Sequence, residues 1–282
     1  MSVIENKNHR RVVWIVLGGL LFLRLPFLAG IRCFANPVWL VPVFDISTYL
    51  LTAFLIWWER DRLADYHIDM LSLGIIIFFK PLQTLLAAQM MDWDAMAFPK
   101  LPALALWVIA GGLLLALVLS RPKWPPLTWG SLGWVGIGLL AGLVMVLIDA
   151  MPTAIMVKQM YGEAVQKPDI QMMLREALPN FFYMVGFAGV TEEPLFRGFL
   201  WGCLRKAGWR DLWIFLLQAG LFTLGHIYYL FSMPLMFFIV VPVGALGMGL
   251  LAWRSKTLAA PLAAHGVGNA LGLVTGMIFA SL

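Results

Sequence analysis

The segment Gly189-Val190-Thr191-Glu192-Glu193-Pro194-Leu195-Phe196-Arg197-Gly198 places two adjacent carboxylates and a guanidinium inside an apolar run over residues 179–204. Insertion experiments assign a cost of roughly 2.5 to 3.5 kcal/mol to each acidic or basic residue at the middle of a membrane. Glu193 and Arg197 are four residues apart, so on a helix they share a face and can form an ion pair. Glu192 lies about 100° away around the helix, so the rest of the chain must supply its partner.

The composition indicates a polytopic membrane protein. Of the 282 residues, 61% are hydrophobic and only 12% are charged, whereas about a quarter of the residues in soluble domains are charged. We therefore predict an all-α transmembrane helical bundle that forms a single integral membrane domain over residues 1–282, with membrane lipids around it. The net charge of +5 is spread over the loops, which argues for a role in membrane orientation and against nucleic-acid binding.

Apolar segments predict eight or nine spans. They cover residues 12–29, 37–58, 70–91, 101–119, 129–148, 179–204, 212–231, 235–253 and 258–282. The third segment contains Lys80-Pro81, and the proline removes a helix hydrogen bond, so this segment either spans or re-enters. Residues 1–150 carry no motif, residues 151–178 read as an amphipathic connection or a plain loop, and residues 179–282 form the core that holds the Glu-Glu-Arg group.

Two further features of the chain have simple interpretations. The first apolar run follows a charged start but contains Arg24 and lacks a small-x-small cleavage site, so we interpret it as a retained span. We expect Arg24 to snorkel or to pair with a neighbouring helix rather than to act in function. Cys33 and Cys203 show no metal-ligand or disulfide-framework spacing, which predicts that they are small apolar fillers.

The loop charges predict the orientation. With nine spans, twelve Lys and Arg residues fall on the side of the N-terminus and five on the other side, while three lie within spans. Since these residues favour cytoplasmic loops, we expect a cytoplasmic N-terminus in a bacterial or archaeal cytoplasmic membrane. The twelve are Lys7, Arg10, Arg11, Arg60, Arg62, Arg121, Lys123, Arg205, Lys206, Arg210, Arg254 and Lys256, and the five are Arg32, Lys100, Lys158, Lys167 and Arg175.

The later spans hold three more polar residues. His226 ends the pattern Phe222-Thr223-Leu224-Gly225-His226, and His265 and Asn269 are four apart on one helix face. Each alone is explained by hydrogen bonding between helices, but together with the Glu-Glu-Arg group they predict a polar cavity for chemistry or transport. The span boundaries put Glu192 at mid-membrane but the two histidines toward opposite ends, so either the boundaries are wrong or the helices are shortened or tilted around a cavity.

At these residues the sequence resembles the CPBP intramembrane proteases, which include CAAX-prenyl proteases and bacteriocin-processing enzymes. The family motifs E-E-x-x-x-R, F-x-x-x-H and H-x-x-x-N occur here in order, as residues 192–197, 222–226 and 265–269. The resemblance covers roughly residues 181–273. Pro194 follows the glutamates directly, which frees the carbonyl of Val190 and can open the helix locally.

The resemblance implies peptide-bond hydrolysis by a water that Glu192 activates, with no cofactor and no required metal. It implies that His226 shares the proton of the water and protonates the leaving amine. His265 and Asn269 are then donors to the oxyanion, and Glu193, which the resemblance places in the catalytic set, forms with Arg197 an ion pair that orients the helix or holds Glu192 in place. The implied partner is a peptide or a lipidated protein, such as a prenylated CAAX-type substrate. The sequence identifies neither the substrate nor the oligomeric state.

Three other functions stay open on the sequence alone. Two glutamates and two histidines can bind zinc, although no His-Glu-x-x-His pattern is present. A proton-coupled transporter would use intramembrane Glu, His and Arg as a relay, but few polar residues occur in the other spans and no inverted repeat is visible. A non-catalytic immunity or scaffold member would keep the fold without the activity.

Overall fold

The computed structural model describes residues 7–24, 37–90, 98–124, 127, 129–162 and 169–282. Within these ranges every regular element is a helix or a helical turn, which confirms the all-α prediction. The expectations for Cys33, and for Arg32 and Lys167 as loop cations, concern residues outside these ranges.

The first half of the chain forms five long helices. A short 3-10 turn, Leu63–Tyr66, lies between the second and the third of them. The five are α1 (Lys7–Phe22), α2 (Pro37–Trp58), α3 (Met70–Met90), α4 (Ala103–Ser120) and α5 (Trp129–Tyr161).

The second half begins with α6 (170–206), which is helical throughout but contains two wide π-helical turns. Its pieces are Ile170–Met184, the π turn Val185–Gly189, Val190–Glu193, the π turn Pro194–Leu200 and Trp201–Lys206. The helices that follow are α7 (Asp211–Leu224), α8 (Tyr229–Ser232), α9 (Met236–Ser255) and α10 (Ala259–Ala280).

Six helices of the described chain are long and apolar enough to cross a membrane, which agrees with an integral membrane protein. They are α2, α3, α4, α5, α9 and α10, and α7 is a shorter apolar helix. The total of eight or nine spans stays a prediction. The helix α3 continues through Pro81, and its stretch Met70–Ala87 is one of the six.

The π turns of α6 flank the two glutamates. Pro194 has no N–H group, so the carbonyl of Val190 loses its helical donor, and the second π turn begins at this proline. Wide turns of this kind occur frequently at functional sites. They leave backbone carbonyls available to side chains from other helices.

The helices α5 and α10 run parallel and pack closely. A Cβ on Gly138 would lie 2.3 Å from the carbonyl oxygen of Ala260. A Cβ on Gly276 would lie 2.4 Å from the Cγ2 atom of Thr153. The residue numbers of these pairs differ by 122 and 123, so the two helices stay in one register. Small residues allow this approach of two helices in a membrane.

The helix α5 is longer than the sequence predicts. It continues to Tyr161, so the predicted end of this span at residue 148 is wrong. The reason is tertiary packing, because Met156 and Val157 are buried in a small apolar cluster with Ala280 of α10. The amphipathic connection at residues 151–178 remains a prediction.

Long-range contacts define one end of the bundle, which we call the basic end. Lys206 at the end of α6 lies 3.7 Å from Glu59 and 3.1 Å from Asp65 in the α2–α3 connection. His9 of α1 also reaches Glu59, at 2.5 Å. The α9–α10 connection joins them, since the N–H of Leu258 donates to the carbonyl of His67 at 2.8 Å.

The start of α10 is recessed from the basic end. A Cβ on Gly198 would touch Leu258, whereas a Cβ on Gly202, one turn further along α6, would clash with Tyr66. The α2–α3 connection therefore fills the space beneath α10. As a consequence α10 begins about two helical turns inside the end of α6.

Candidate active site

Glu192 lies on α6 between the two π turns, and its carboxylate is paired with Arg24. The Nη1 atom of Arg24 donates to Oε1 of Glu192 at 2.9 Å, and its Nη2 atom donates to the carbonyl of Thr191 at 3.2 Å. The carboxylate keeps some contact with open space, since 13% of the Glu192 side chain is exposed. The partner that the α6 sequence lacks is therefore supplied from the chain segment after α1.

The surroundings of Arg24 are apolar. Its guanidinium carbon lies 5.1 Å from the centre of the Phe196 ring and 5.7 Å from that of Phe44, and the residue is buried. The expected pairing of Arg24 with a neighbouring helix is observed, but sequence reasoning gave this residue no part in the site. The sequence feature that could have pointed to this role is the position of an arginine inside an apolar run.

Glu193 faces away from the cavity into a fully buried cluster. Its Oε1 atom lies 3.3 Å from Nη1 of Arg197, and both side chains have no exposed surface. The same oxygen lies 2.7 Å from Nδ1 of His265. Arg197 also donates from Nη2 to the carbonyl of Ala245 at 3.1 Å, so this pair joins α6, α9 and α10.

Two histidines lie beside the carboxylate of Glu192. The Nε2 atom of His226 is 3.9 Å from Oε1, and the Nε2 atom of His265 is 3.8 Å from Oε2. The Nδ1 atom of His226 is 2.9 Å from the carbonyl of Phe222. A carbonyl only accepts, so Nδ1 carries a proton, and the Nε2 atom of a neutral His226 has a free lone pair.

Asn269 lines the same cavity as Glu192 and the two histidines. It follows His265 by one turn of α10, and its side chain is exposed to this space. The structure thus brings Glu192, His226, His265 and Asn269 to one cavity and places Glu193 and Arg197 behind it.

The histidines converge because α7 is shorter than the sequence predicts and because α10, which starts where it was predicted, begins inside the bundle. The helix α7 has only 14 residues and ends at Leu224, so His226 lies in the turn that follows. The recessed start of α10 moves His265 toward the middle of the bundle. The short α7 and the recessed start of α10 therefore explain the mismatch in depth.

The cavity has a volume of about 620 Å³ and a largely apolar wall. Methionine contributes much of this wall, and its flexible thioether adapts to irregular apolar groups. The six methionines are Met145, Met156, Met184, Met233, Met236 and Met248. Asp149 on α5 also lines the cavity. It is 8% exposed, and its buried Oδ1 atom has no hydrogen-bond partner in the described structure.

A second buried network supports the first π turn of α6. Lys80 on α3 forms an ion pair with Asp45 on α2 and donates to the carbonyl of Gly186 at 3.1 Å and to the hydroxyl of Thr191 at 3.0 Å. Gln83 donates to the other oxygen of Asp45 at 3.0 Å. In the sequence, Lys80 interrupts the third apolar segment. In the structure, the same lysine contacts Thr191, the residue next to Glu192.

The second π turn has a comparable partner in the α2–α3 connection. The Nδ1 atom of His67 lies 3.2 Å from the carbonyl of Arg197, so it donates there. Burial, reinforced by the charges of Arg205 and Lys256, lowers the pKa of His67 to about 4. His67 is therefore a neutral donor near pH 7.

Carboxylates and imidazoles such as those near the cavity are also common metal ligands. In the part of the chain that the structure describes, no group of three or more His, Cys, Asp or Glu side chains is arranged to hold a metal ion. The contacts of Glu192 are instead to a guanidinium and two imidazoles.

Comparison with known proteins adds one match. Residues 174–271 match a family described as type II CAAX prenyl endopeptidase Rce1-like. Over this segment, the chain is similar to that family. The predicted resemblance to the CPBP and CAAX proteases is thereby confirmed, and at family level the match supports a CAAX-type intramembrane protease. The matched segment contains Glu192, Glu193, His226, His265 and Asn269. No curated protein and no solved structure gave a match.

Proposed function

We propose that this Rce1-like protein is an endopeptidase that hydrolyses a peptide bond of a membrane-associated substrate with a water activated by Glu192 and His226, without a metal. The observation that carries this proposal is the position of the Glu192 carboxylate. It opens into the cavity, and two imidazole nitrogens and a guanidinium from three separate elements surround it.

The reaction begins with a water between Glu192 and His226. Glu192 takes one proton while the water oxygen bonds to the carbonyl carbon of the substrate, which forms a tetrahedral oxyanion. When the C–N bond breaks, that proton passes to the nitrogen, so the products are an amine and a carboxylic acid. The free lone pair on Nε2 of His226 suits a carrier of this proton, and general acid–base catalysis of this kind contributes about 10² to 10⁴ in rate.

The oxyanion needs donors, and the two candidates on α10 differ. The amide of Asn269 donates in any protonation state. His265 already directs Nδ1–H toward Glu193, so its Nε2 atom donates only when the ring is an imidazolium.

Arg24 keeps the charge of the cavity balanced during this sequence. Before attack it neutralises the Glu192 carboxylate at 2.9 Å. When Glu192 accepts the proton, the negative charge moves to the oxyanion, and the guanidinium stays close enough to stabilise it. The buried pair of Glu193 and Arg197 acts differently, since it positions His265 and has no access to the substrate.

The substrate class follows from the wall of the cavity. A prenylated CAAX-type chain offers a flexible apolar group that the methionines can enclose, and a peptide segment offers the polar bond that the Glu192 cluster can hydrolyse. We therefore propose a lipidated peptide as the substrate, bound with its apolar group against the methionines.

A non-catalytic member of the family is the second candidate. The observation that favours it is the Arg24–Glu192 ion pair at 2.9 Å, because the guanidinium occupies a carboxylate oxygen that could otherwise bind the water. Such a protein would bind the lipidated peptide in the same cavity without cleaving it.

Purified protein in detergent, with a farnesylated peptide and the same peptide without the lipid, separates these two candidates. We expect cleavage of the lipidated peptide, its loss in Glu192→Gln and His226→Gln, and unchanged cleavage in Glu176→Gln, where an exposed glutamate on α6 is replaced. Cleavage should also persist with a strong chelator. Full activity of Glu192→Gln would refute the mechanism, chelator sensitivity would refute its metal independence, and binding without cleavage in wild type would favour the second candidate.

A further inference from the structure

One carboxyl group in the wall of the cavity has no ionic partner among the described residues. These residues contribute three carboxyl groups to the wall, those of Asp45, Asp149 and Glu192. Asp45 is paired with Lys80, and Glu192 is paired with Arg24. Asp149 on α5 is only 8% exposed, and its Oδ1 atom has no hydrogen-bond partner in the described part of the chain. A buried polar group of this kind is costly unless a ligand or water satisfies it.

The cavity has unfilled space at the level of Asp149. By the register of α5 on α10, Asp149 is level with Gly272. Gly272 lines the cavity, and a Cβ at this position would meet no described atom within 4 Å. The same is true of Gly268, one turn earlier on α10. A ligand in the cavity can therefore lie against α10 and reach the carboxyl group of Asp149.

The chemistry of this part of the wall favours a basic group on the ligand. An ammonium or a guanidinium donates hydrogen bonds to a carboxylate and also neutralises its charge. Thr153 follows Asp149 by one turn on the same face of α5 and also lines the cavity, so its hydroxyl is a further acceptor. Because Arg24 and Lys80 are already paired with other carboxylates, the ligand must bring the cation.

The distance from Asp149 to the catalytic cluster suits a peptide. His265, whose Nε2 atom lies 3.8 Å from Glu192, precedes Gly272 by seven residues, which is about 10 Å along the helix axis. An extended peptide advances about 3.3 Å per residue. A side chain three residues from a bond at Glu192 is therefore level with Asp149.

We propose that Asp149 is a specificity-determining residue that binds a lysine or arginine side chain of the substrate peptide, about three residues from the cleaved bond. This inference rests on the proposed function for the cleaved bond, but the binding of a basic side chain beside Asp149 is a separate property. It makes the preferred substrate a lipidated peptide with a basic residue close to that bond.

Farnesylated peptides that differ in one side chain test the proposal. One peptide carries lysine three residues before the cleaved bond, and a second carries it three residues after the bond. Each is paired with a norleucine peptide, which has a neutral side chain of similar length, and all are acetylated at the N-terminus to remove a competing cation. The ratio of kcat/KM within each pair is measured in detergent for wild type, Asp149→Asn and Glu176→Gln, the exposed control on α6.

We expect wild type and Glu176→Gln to prefer lysine over norleucine in one of the two pairs by roughly 10- to 100-fold, the range for a hydrogen bond to a charged group. Asp149→Asn should bring this ratio close to one, and the norleucine peptide serves as the reference that cancels any general loss of activity. Asp149→Lys should prefer a peptide with glutamate at the same position. Equal cleavage within both pairs by wild type, or a lysine preference that survives in Asp149→Asn, would overturn the proposal.

Thermal unfolding without peptide separates a binding role from a structural one. Asp149→Leu removes a buried carboxyl group that has no partner in the described chain, so its unfolding temperature in detergent should equal or exceed that of wild type. A clear fall in this temperature would show that Asp149 supports the fold, which contradicts the proposed role.

Binding measurements keep this proposal and the proposed function distinguishable. Competition with a fluorescent farnesylated peptide gives the affinity of each peptide without the need for cleavage. If wild type binds the lysine peptide more tightly than the norleucine peptide but cleaves neither, the proposed function fails and the subsite stands. If wild type cleaves and binds the peptides of each pair equally, the subsite fails and the proposed function stands.

Discussion

Two regions of the chain contribute unequally to the site. They are the N-terminal region, residues 7–90, and the C-terminal region, residues 170–280. The C-terminal region carries all the motif residues and lies mostly within the family match. The N-terminal region carries no motif, yet its side chains reach α6 at three levels. Lys80 contacts the first π turn, Arg24 contacts Glu192, and His67 contacts the second π turn.

This difference shows what the helices without motifs contribute. A π turn leaves carbonyls that the helix itself does not satisfy, and a buried carbonyl without a donor costs about 1–3 kcal/mol. The donors come from the N-terminal region, so the distorted shape of α6 depends on it. The proposed catalytic groups and the side chains that support them are therefore on different parts of the chain.

The largest expected effect comes from breaking the Lys80 network. Lys80→Met leaves Asp45 as an unpaired buried charge and removes the donor to Gly186, so we expect a loss of about 3 to 5 kcal/mol in the free energy of unfolding. Thermal unfolding in detergent measures this loss.

The control for this variant is Lys80→Met combined with Asp45→Leu, which replaces the pair by apolar side chains and should recover most of the stability. If the double variant is stable but cleaves slowly, the N-terminal region positions α6. Wild-type stability in the single variant would contradict the network.

The next effect concerns pH and His67. Because burial lowers the pKa of His67 to about 4 from its ordinary 6.5, the unfolded chain binds a proton at higher pH than the folded protein does. Stability is therefore full above pH 6.5 and falls as the pH drops toward 4, by about 3 kcal/mol for this group.

Thermal unfolding between pH 7 and pH 4 tests the role of His67. His67→Asn keeps a donor near the carbonyl of Arg197 but cannot titrate, so its stability should depend less on pH in this range. Equal pH dependence in wild type and His67→Asn would show that His67 does not contribute.

Replacing Arg24 should have an effect of similar size, in this case on the rate of the proposed reaction. If the guanidinium stabilises the oxyanion, Arg24→Gln should reduce kcat by about 10²-fold, the order found for one oxyanion donor, with little change in KM. Arg24→Lys should retain part of the activity, and Arg11→Gln, an exposed change on α1, should retain all of it. A rise in kcat for Arg24→Gln would mean that Arg24 restrains Glu192 instead.

The smallest effect concerns the contact between the regions. A Cβ on Gly186 would lie 2.2 Å from the carbonyl oxygen of Phe79 on α3, so Gly186→Ala should push α6 from α3 and cost about 1–3 kcal/mol. Gly74→Ala on the exterior of α3, where a Cβ meets no atom within 4 Å, should unfold like wild type. Similar unfolding of the two variants would contradict this close approach.

Local patterns in the sequence were sufficient for most of the fold and for part of the site. Apolar runs predicted the long helices, including α2 over residues 37–58, because a helix that crosses a membrane satisfies its own backbone and only needs apolar side chains. The four-residue spacing of Glu193 and Arg197 predicted their contact for a similar reason, since the helix period brings both side chains to one face.

Only the tertiary structure decided which groups meet at Glu192. Arg24 is 168 residues away along the chain, and no local period relates the two. The short α7, the recessed start of α10 and the extension of α5 to Tyr161 also depend on packing between distant segments. Sequence alone determined that charged side chains lie in a membrane bundle and must be paired. The choice of partners came from the way in which the helices pack, because burial and satisfaction of charge are properties of the assembled bundle.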